Sequence, residues 1–323
     1  MENIKNLPIV KKLGFNRIIL VGVLILMYCL FSLGSGRWLG SGDIKNALNM
    51  VDYLGFLALG VTFVIATGGI DFSIGPVMVC AGLIAGRLLV TFGWPLWLAL
   101  IMCVVVGFIF GVFNGILVAY MGLPSFISSM ASMMLAKGVG SVFTHVQNSN
   151  WPATGAENSW YKYLVTYNGF PTGLVLLLVV AVICSILMNK TKVGRYILCI
   201  GPNREAVRLS GVDTRKWEAL AYVFCGTLAG IAAITYVGVI TQVQPGLGDE
   251  FNNNAIANCV MGGTSMAGGV ASIGGTVIGV LIISLLRVGI QAMGFRPDYQ
   301  YIITGIIVAL AVFADIRSSS RKK

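Results

Sequence analysis

The sequence predicts an all-α membrane protein of about ten transmembrane helices with both termini in the cytoplasm. Three observations lead there. Of 323 residues, 57% are hydrophobic and only 11% charged, less than half the ~25% charge of a soluble domain, and mean hydropathy is +0.86. Glycine occurs 41 times, and small residues let helix backbones approach closely in lipid. The basic residues gather in three places between apolar runs. Together these exclude a soluble enzyme, a disordered chain and a disulfide-stapled secreted domain.

A spanning helix needs about 20 mostly apolar residues, and the runs follow in order. Ile18–Leu33 comes first; it lacks a small-residue cleavage site and reads as an uncleaved span. Leu54–Ile70, Ile74–Phe92, Trp94–Met121 and Ser125–Phe143 follow. A polar stretch, Thr144–Phe170, then carries Trp151, Trp160 and Tyr161, residues suited to a membrane interface. Pro171–Met188 enters a basic loop and Ala219–Ile240 leaves it; Ala255–Ala267, Ile273–Met293 and Tyr299–Ala314 complete the set. Gly107, Gly111 and Gly115, with Gly82/Gly86, Gly226/Gly230 and Gly275/Gly279, recur every fourth residue and mark close-packing faces.

The net charge of +10 raises the question of nucleic acid. Lys5, Lys11, Lys12 and Arg17 precede the first run. Lys190, Lys192, Arg195, Arg204, Arg208, Arg215 and Lys216 fill the central loop, and Arg317, Arg321, Lys322 and Lys323 end the chain. With the N-terminus inside, ten crossings bring all three clusters to the cytoplasm, as the positive-inside rule requires. No folded soluble domain remains to form a nucleic-acid groove. The acids, among them Asp43, Asp52, Glu157, Asp249, Glu250 and Asp298, fall mostly outside.

Conventional catalytic chemistry finds few residues. The seven cysteines form no C-x-x-C, the single histidine is His145, and no Gly-Lys pair exists to build a phosphate-cradling loop. No cofactor is implied. Charges within the runs are Asp71, Arg87, Lys137 and Arg287, and buried charge in lipid points to function by default. Asp71 lies in Gly68-Gly69-Ile70-Asp71-Phe72-Ser73-Ile74-Gly75-Pro76, a break between two runs. It reads either as a capped cytoplasmic turn, with Asp71 or Ser73 as the cap, or as a gating or transport element. In the basic loop, Asn203 is a good N-cap and Gly211 a natural stop. The helix between them would carry Arg204, Glu205 and Arg208 on its polar side, with Ala206, Val207 and Leu209 packing beneath. Such a helix either lies on lipid or docks into a partner.

Several of these stretches carry a resemblance: Gly68–Gly75, Gly111–Gly115 with Leu117–Tyr120, Pro124-Ser125-Phe126-Ile127, Thr191–Arg195, Asn203–Gly211, and Gly262-Gly263-Thr264-Ser265 with Gly268-Gly269. In length, span count and motif order the chain resembles the inner-membrane permeases of bacterial ABC monosaccharide importers, the ribose, galactose, xylose, arabinose and autoinducer-2 group, the ribose type most. The resemblance implies a single permease domain over residues 1–323 in the cytoplasmic membrane, with a coupling loop at about 189–217. It implies that a separate ABC ATPase subunit grips Asn203, Arg204, Glu205, Ala206, Arg208, Leu209 and Gly211. It also implies a second permease (the same chain or a different one) and a periplasmic or lipid-anchored sugar-binding protein. The pathway would pass a neutral monosaccharide or polyol along Asp71, Ser73, Asn114, Ser125 and Phe126, with Thr62, Ser128 and Ser129 as further neutral candidates. One departure stands out: Asn252-Asn253-Asn254 occupies the place of an acidic, Leu, acidic triplet common in relatives. The competing reading is an ion-coupled secondary transporter working through Asp71. A membrane-embedded enzyme is disfavoured by the scarcity of clustered titratable groups.

Overall fold

The computed structural model describes residues 15–296 and 298–320; Lys5, Lys11, Lys12, Arg321, Lys322 and Lys323 lie outside them. Twelve helices follow one another in the described chain: α1 Phe15–Gly34, α2 Ser41–Ala66, α3 Ile74–Val90, α4 Leu96–Gly115, α5 Ser125–Thr144, α6 Thr172–Lys190, α7 Lys192–Ile200, α8 Arg204–Leu209, α9 Thr214–Val239, α10 Asp249–Met261, α11 Ile273–Ala292 and α12 Asp298–Ser320. Helix α4 continues as a π turn, Ile116–Tyr120. Two short strands, β1 Ser149–Asn150 and β2 Gln242–Val243, pair antiparallel and join two loops at one end of the bundle.

By length and composition, six helices among the described residues suffice to cross a membrane: α2, α4 with its π turn, α5, α6, α9 and α11. Helix α2 is buried on every side from Val51 to Ala66, and α9 and α11 bury most of their length. Helices α5 and α6 expose Met134, Val142, Val182 and Ile186 on an outer apolar surface. A helix apolar all round is the form expected of a span or a core.

Helices α4 and α9 meet along the predicted glycine faces. A Cβ on Gly107 would strike the Gly226 carbonyl, and one on Gly226 would strike Gly107 in return. The four-residue spacing is therefore a backbone-to-backbone seam.

Some expectations need correction. Helix α2 starts at Ser41, well before Leu54, because Asp43, Lys45 and Asp52 interrupt the apolar run without interrupting the helix. Asp52 itself is 1% exposed and packs against Gly173 in the first turn of α6, where a helix N-terminus favours an anion. Trp151 and Tyr161 form no interfacial belt: both are buried, and Trp151 Nε1 donates to the Gly82 carbonyl at 3.1 Å. Only Trp160 of the three is exposed.

The eighth run is not a full-length helix. Helix α10 has 13 residues, about 20 Å at 1.5 Å per residue, and starts inside the bundle with Gly248 against the Gly75–Pro76 backbone. The Asp71 break is likewise not a tight turn at the surface. Gly68 lies beside Gly201 and Ala267, whereas Gly75 lies beside Gly248 and Asn252. The chain between them thus runs alongside α10, from near its C-terminal loop to its N-terminus. Two helix N-termini, those of α3 and α10, consequently meet within the protein.

Candidate functional site

The extended segment Gly69–Ser73 has no ladder or helix to satisfy its backbone, and in an apolar interior every such group needs a partner. Side chains from two helices, α5 and α10, supply several of them. Ser125 Oγ of α5 accepts from the Ile70 amide at 3.2 Å, and Ser129 Oγ donates to the Ile70 carbonyl at 3.3 Å. Asn252 of α10 bridges the gap before α3: its Nδ2 donates to the Phe72 carbonyl at 2.5 Å and its Oδ1 accepts from the Gly75 amide at 2.7 Å. One carboxamide thus stands in for a missing length of backbone.

Asp71, 1% exposed, is held by neutral donors. Its Oδ1 accepts from the Ser73 amide at 2.8 Å and from Ser73 Oγ at 2.6 Å; its Oδ2 accepts from Asn114 Nδ2 at 3.4 Å. Asn114 also donates to Ser73 Oγ at 2.8 Å and accepts from Ser132 Oγ. Ser73 is the N-cap residue of α3 but makes no side-chain cap bond; the expected cap is instead an Asx-type turn closed by Asp71. Asn114 directly precedes Gly115 and the π turn of α4, an irregularity often found where a side chain must be aimed.

All five sequence-predicted pathway residues therefore converge on one segment. Asp71, Ser73 and Asn114 form a single network, and Ser125 and Phe126 brace it. Phe126 is 51% exposed and meets Phe72 edge-to-face at 5.6 Å. Thr62 belongs elsewhere, in a buried knot with Thr276 at 3.1 Å and Cys259 at 3.2 Å that ties α2, α11 and α10. Ser128 is buried beside the network. Sequence reasoning missed Ser132 and the bridging role of Asn252. The signal for the latter was present as a polar triplet heading an apolar run.

Two other charges within the runs have polar partners: Lys137 pairs with Asp249 at 2.6 Å, and Arg87 donates to Gln147, next to the Thr144–Phe170 stretch, at 3.4 Å. Among the described residues, no three His, Cys, Asp or Glu side chains gather as a metal site.

The opposite end holds the basic loop. Asn203 Oδ1 accepts from the Ala206 amide at 2.9 Å, capping α8, and Gly211 ends it with φ +84°, a conformation open to glycine. Arg204 turns back toward the bundle, pairing with Glu218 of α9 at 2.7 Å and donating to the Ala119 carbonyl of the π turn at 3.3 Å. Glu205 and Arg208 pair with each other on the exposed side, and the guanidinium holds the Glu205 carboxyl below its usual value. The expected packing of Ala206 and Leu209 beneath the helix is overturned. Both are exposed, Leu209 by 76%, and only Val207 is partly covered. Once Arg204 anchors a six-residue helix, the rest of its apolar side faces away from the bundle.

That loop is rooted in the motif glycines. The Gly269 amide donates to the Ala66 carbonyl at 2.9 Å. A Cβ on Gly201 would collide with the backbone of Gly269 and Ala66. The ends of α2 and α7 and the Gly262–Gly269 loop therefore form one tight junction beneath the Asp71 segment.

Comparison with known proteins agrees with this architecture. The ribose import permease protein RbsC of Escherichia coli is 32% identical over 300 residues, covering 92% of each chain. The Bacillus subtilis protein of the same name is 31% identical, again over 92% of each chain. The xylose transport system permease protein XylH of Haemophilus influenzae is 29% identical over 364 residues, covering 95% of this chain and 96% of its own. No solved structure matches. Residues 44–312 match the branched-chain amino acid transport system / permease component family. Through that match and these relatives, the chain belongs to this family of membrane permeases, whose members transport rather than catalyse.

Proposed function

We propose that the chain is the membrane subunit of an ATP-driven importer that moves a neutral monosaccharide or related polyol into the cytoplasm. The observation that carries the reading is α8: a capped helix rooted by Arg204 in the bundle, with Ala206 and Leu209 exposed and uncovered by the chain itself. A permease without a phosphate-cradling loop needs such a handle for a separate ATPase, and the uncovered apolar side chains suit a groove. The sugar class follows from relatives named for ribose and xylose, and the polar residues lining residues 69–73 are mostly neutral.

In this reading the whole chain is one permease domain passing the membrane ten times. The loop at about 189–217 and both termini face the cytoplasm, and α10 with the preceding extended chain completes the eighth pass. Asn203, Glu205, Ala206, Arg208, Leu209 and Gly211 form the ATPase contact, and Arg204, expected there too, instead anchors their helix to the bundle. Asp71, Ser73, Asn114, Ser125 and Phe126 shape the pathway. A second permease and a sugar-binding protein on the outer side complete the assembly. The ion-coupled alternative would work through Asp71, and the Asp71→Asn variant separates it from the importer reading.

The test is reconstitution with ATPase and binding protein. Ala206→Glu and Gly211→Val are expected to insert normally yet lose ATPase co-purification and sugar-stimulated hydrolysis, since a short helix has little stability of its own. Full stimulated hydrolysis in Ala206→Glu would assign α8 to the lipid surface and remove the coupling role.

A further inference from the structure

We infer that a cavity between α10, α12 and the Asp71 segment is a binding subsite for the polyol in transit, an inference that rests on the importer reading above. The cavity has a volume of about 490 Å3 and is lined by Phe72, Glu250, Asn253, Tyr301, Thr304 and Gly305, among others. That size falls within the roughly 300–1,000 Å3 of small-molecule sites. It lies where α3 and α10 both begin inside the protein, the kind of interrupted-helix junction at which transporters hold substrates.

Two features of the lining select the ligand class. Phe72 and Tyr301 offer aromatic surface for the C–H face of a sugar ring, and Tyr301 is 57% exposed. The polar groups are those that bind hydroxyls. The Glu250 carboxylate accepts from Tyr301 Oη at 2.7 Å and keeps further lone pairs for a ligand hydroxyl. Asn253 stands exposed with both donor and acceptor capacity. Thr304 is only 7% exposed, yet its Oγ1 has no hydrogen-bond partner. A buried hydroxyl left unpaired is costly, and a ligand hydroxyl in the cavity would remove that cost.

An acyl chain would satisfy none of these groups, and one carboxylate already bonded to a tyrosine is a poor cation cage. Asn252 contributes indirectly, because its bond to the Phe72 carbonyl fixes one wall. Asn252 is therefore a positioning residue for the subsite.

The experiment uses the full complex in proteoliposomes, reading sugar uptake and ATP hydrolysis together. Thr304→Val preserves shape and removes the hydroxyl; Asn253→Leu alters an exposed position with no structural bond of its own across the cavity. Each is expected to lower sugar moved per ATP by roughly fivefold, the worth of one hydrogen bond, with stimulated hydrolysis within about twofold of the parent. Thr304→Ser is expected to restore the ratio. An unchanged ratio in both variants overturns the subsite, as does a parallel fall of both rates, which marks a packing role. Gly305→Cys, at a position with open space around a Cβ, supplies the remaining control. Disulfide formation between two permeases with and without sugar means that the second subunit fills the cavity, and this also overturns the subsite. Failure of the parent complex to retain an ATPase would instead defeat the importer reading, a separate result.

Discussion

Replacing Asn252 by Leu keeps much of the volume and removes both bonds of the bridging carboxamide. The Phe72 carbonyl and the Gly75 amide then lose their partners in a place that Phe251, Gly248 and Met133 surround. At about 1–3 kcal/mol for each buried group left unpaired, the cost comes to about 2–6 kcal/mol. Asn253→Leu, one residue on and exposed, provides the control and is expected to stay within about 0.5 kcal/mol of the parent. The assay is thermal unfolding of the solubilised permease, followed by reaction of a thiol-reactive fluorophore with the buried Cys103, Cys225 and Cys259. The midpoint of Asn252→Leu should fall clearly below that of Asn253→Leu. Equal midpoints would mean that the segment does not depend on the carboxamide, and the account of how the interrupted helices are held would fail.

Asp71→Asn retains the acceptor that receives Ser73, so ATP-dependent uptake should stay above about half of the parent; abolished uptake together with lost pH dependence would restore a proton-coupling role. Arg204→Ala leaves Glu218 buried without its cation, and α8 should become protease-sensitive while the bundle stays intact; unchanged cleavage kinetics would show that Arg204 is not the anchor. The Glu205 carboxyl is held below its usual value by Arg208, so this pair's contribution is complete above the unfolded carboxylate pKa of about 4.3 and fades only as pH falls through the lower folded value. ATPase coupling should accordingly be flat between about pH 6 and 8 as far as this pair is concerned, and a Glu205→Gln variant should show the same profile. Cysteines placed in Thr144–Phe170 should react with an impermeant reagent from outside, and one near Arg208 only after lysis; the reverse pattern would refute the orientation.

The sequence made helices legible where apolar runs were unbroken, as in α4, α5, α6 and α11. It misplaced the start of α2 because Asp52 and its neighbours look solvent-bound until α6 is seen to cover them. The members of the Asp71 network were legible residue by residue: a Gly-flanked Asp, a Ser two positions on, and an Asn within an apolar helix. What joins them was not, since Asn252 acts across 177 residues to Gly75 and no local pattern encodes that pairing. The triplet Asn252–Asn254 attracted attention as a departure from an acidic pattern, and the structure supplies a reason for the first of the three. An ionised carboxylate at 252 accepts from Gly75 but has no hydrogen to give Phe72. The orientation of α8 was illegible for a simpler reason. Its six residues fit lipid or a partner equally well, and the ion pair that fixes which side turns outward joins Arg204 to Glu218 on another helix.

The seam between α4 and α9 also bears on how this chain can diverge. At Gly107, Gly111, Gly226 and Gly230 each backbone lies against the other. A side chain gained on one helix cannot be balanced by trimming the other, because neither has any side chain left to lose. Compensating pairs of substitutions, the usual escape for packed cores, are closed to these positions. A mutational scan of the two helices should therefore find a narrow intolerant line along the seam beside broadly permissive outer faces. Drift in this protein will accumulate on surfaces such as that of Met134 and Val142, leaving the axis of the bundle nearly fixed.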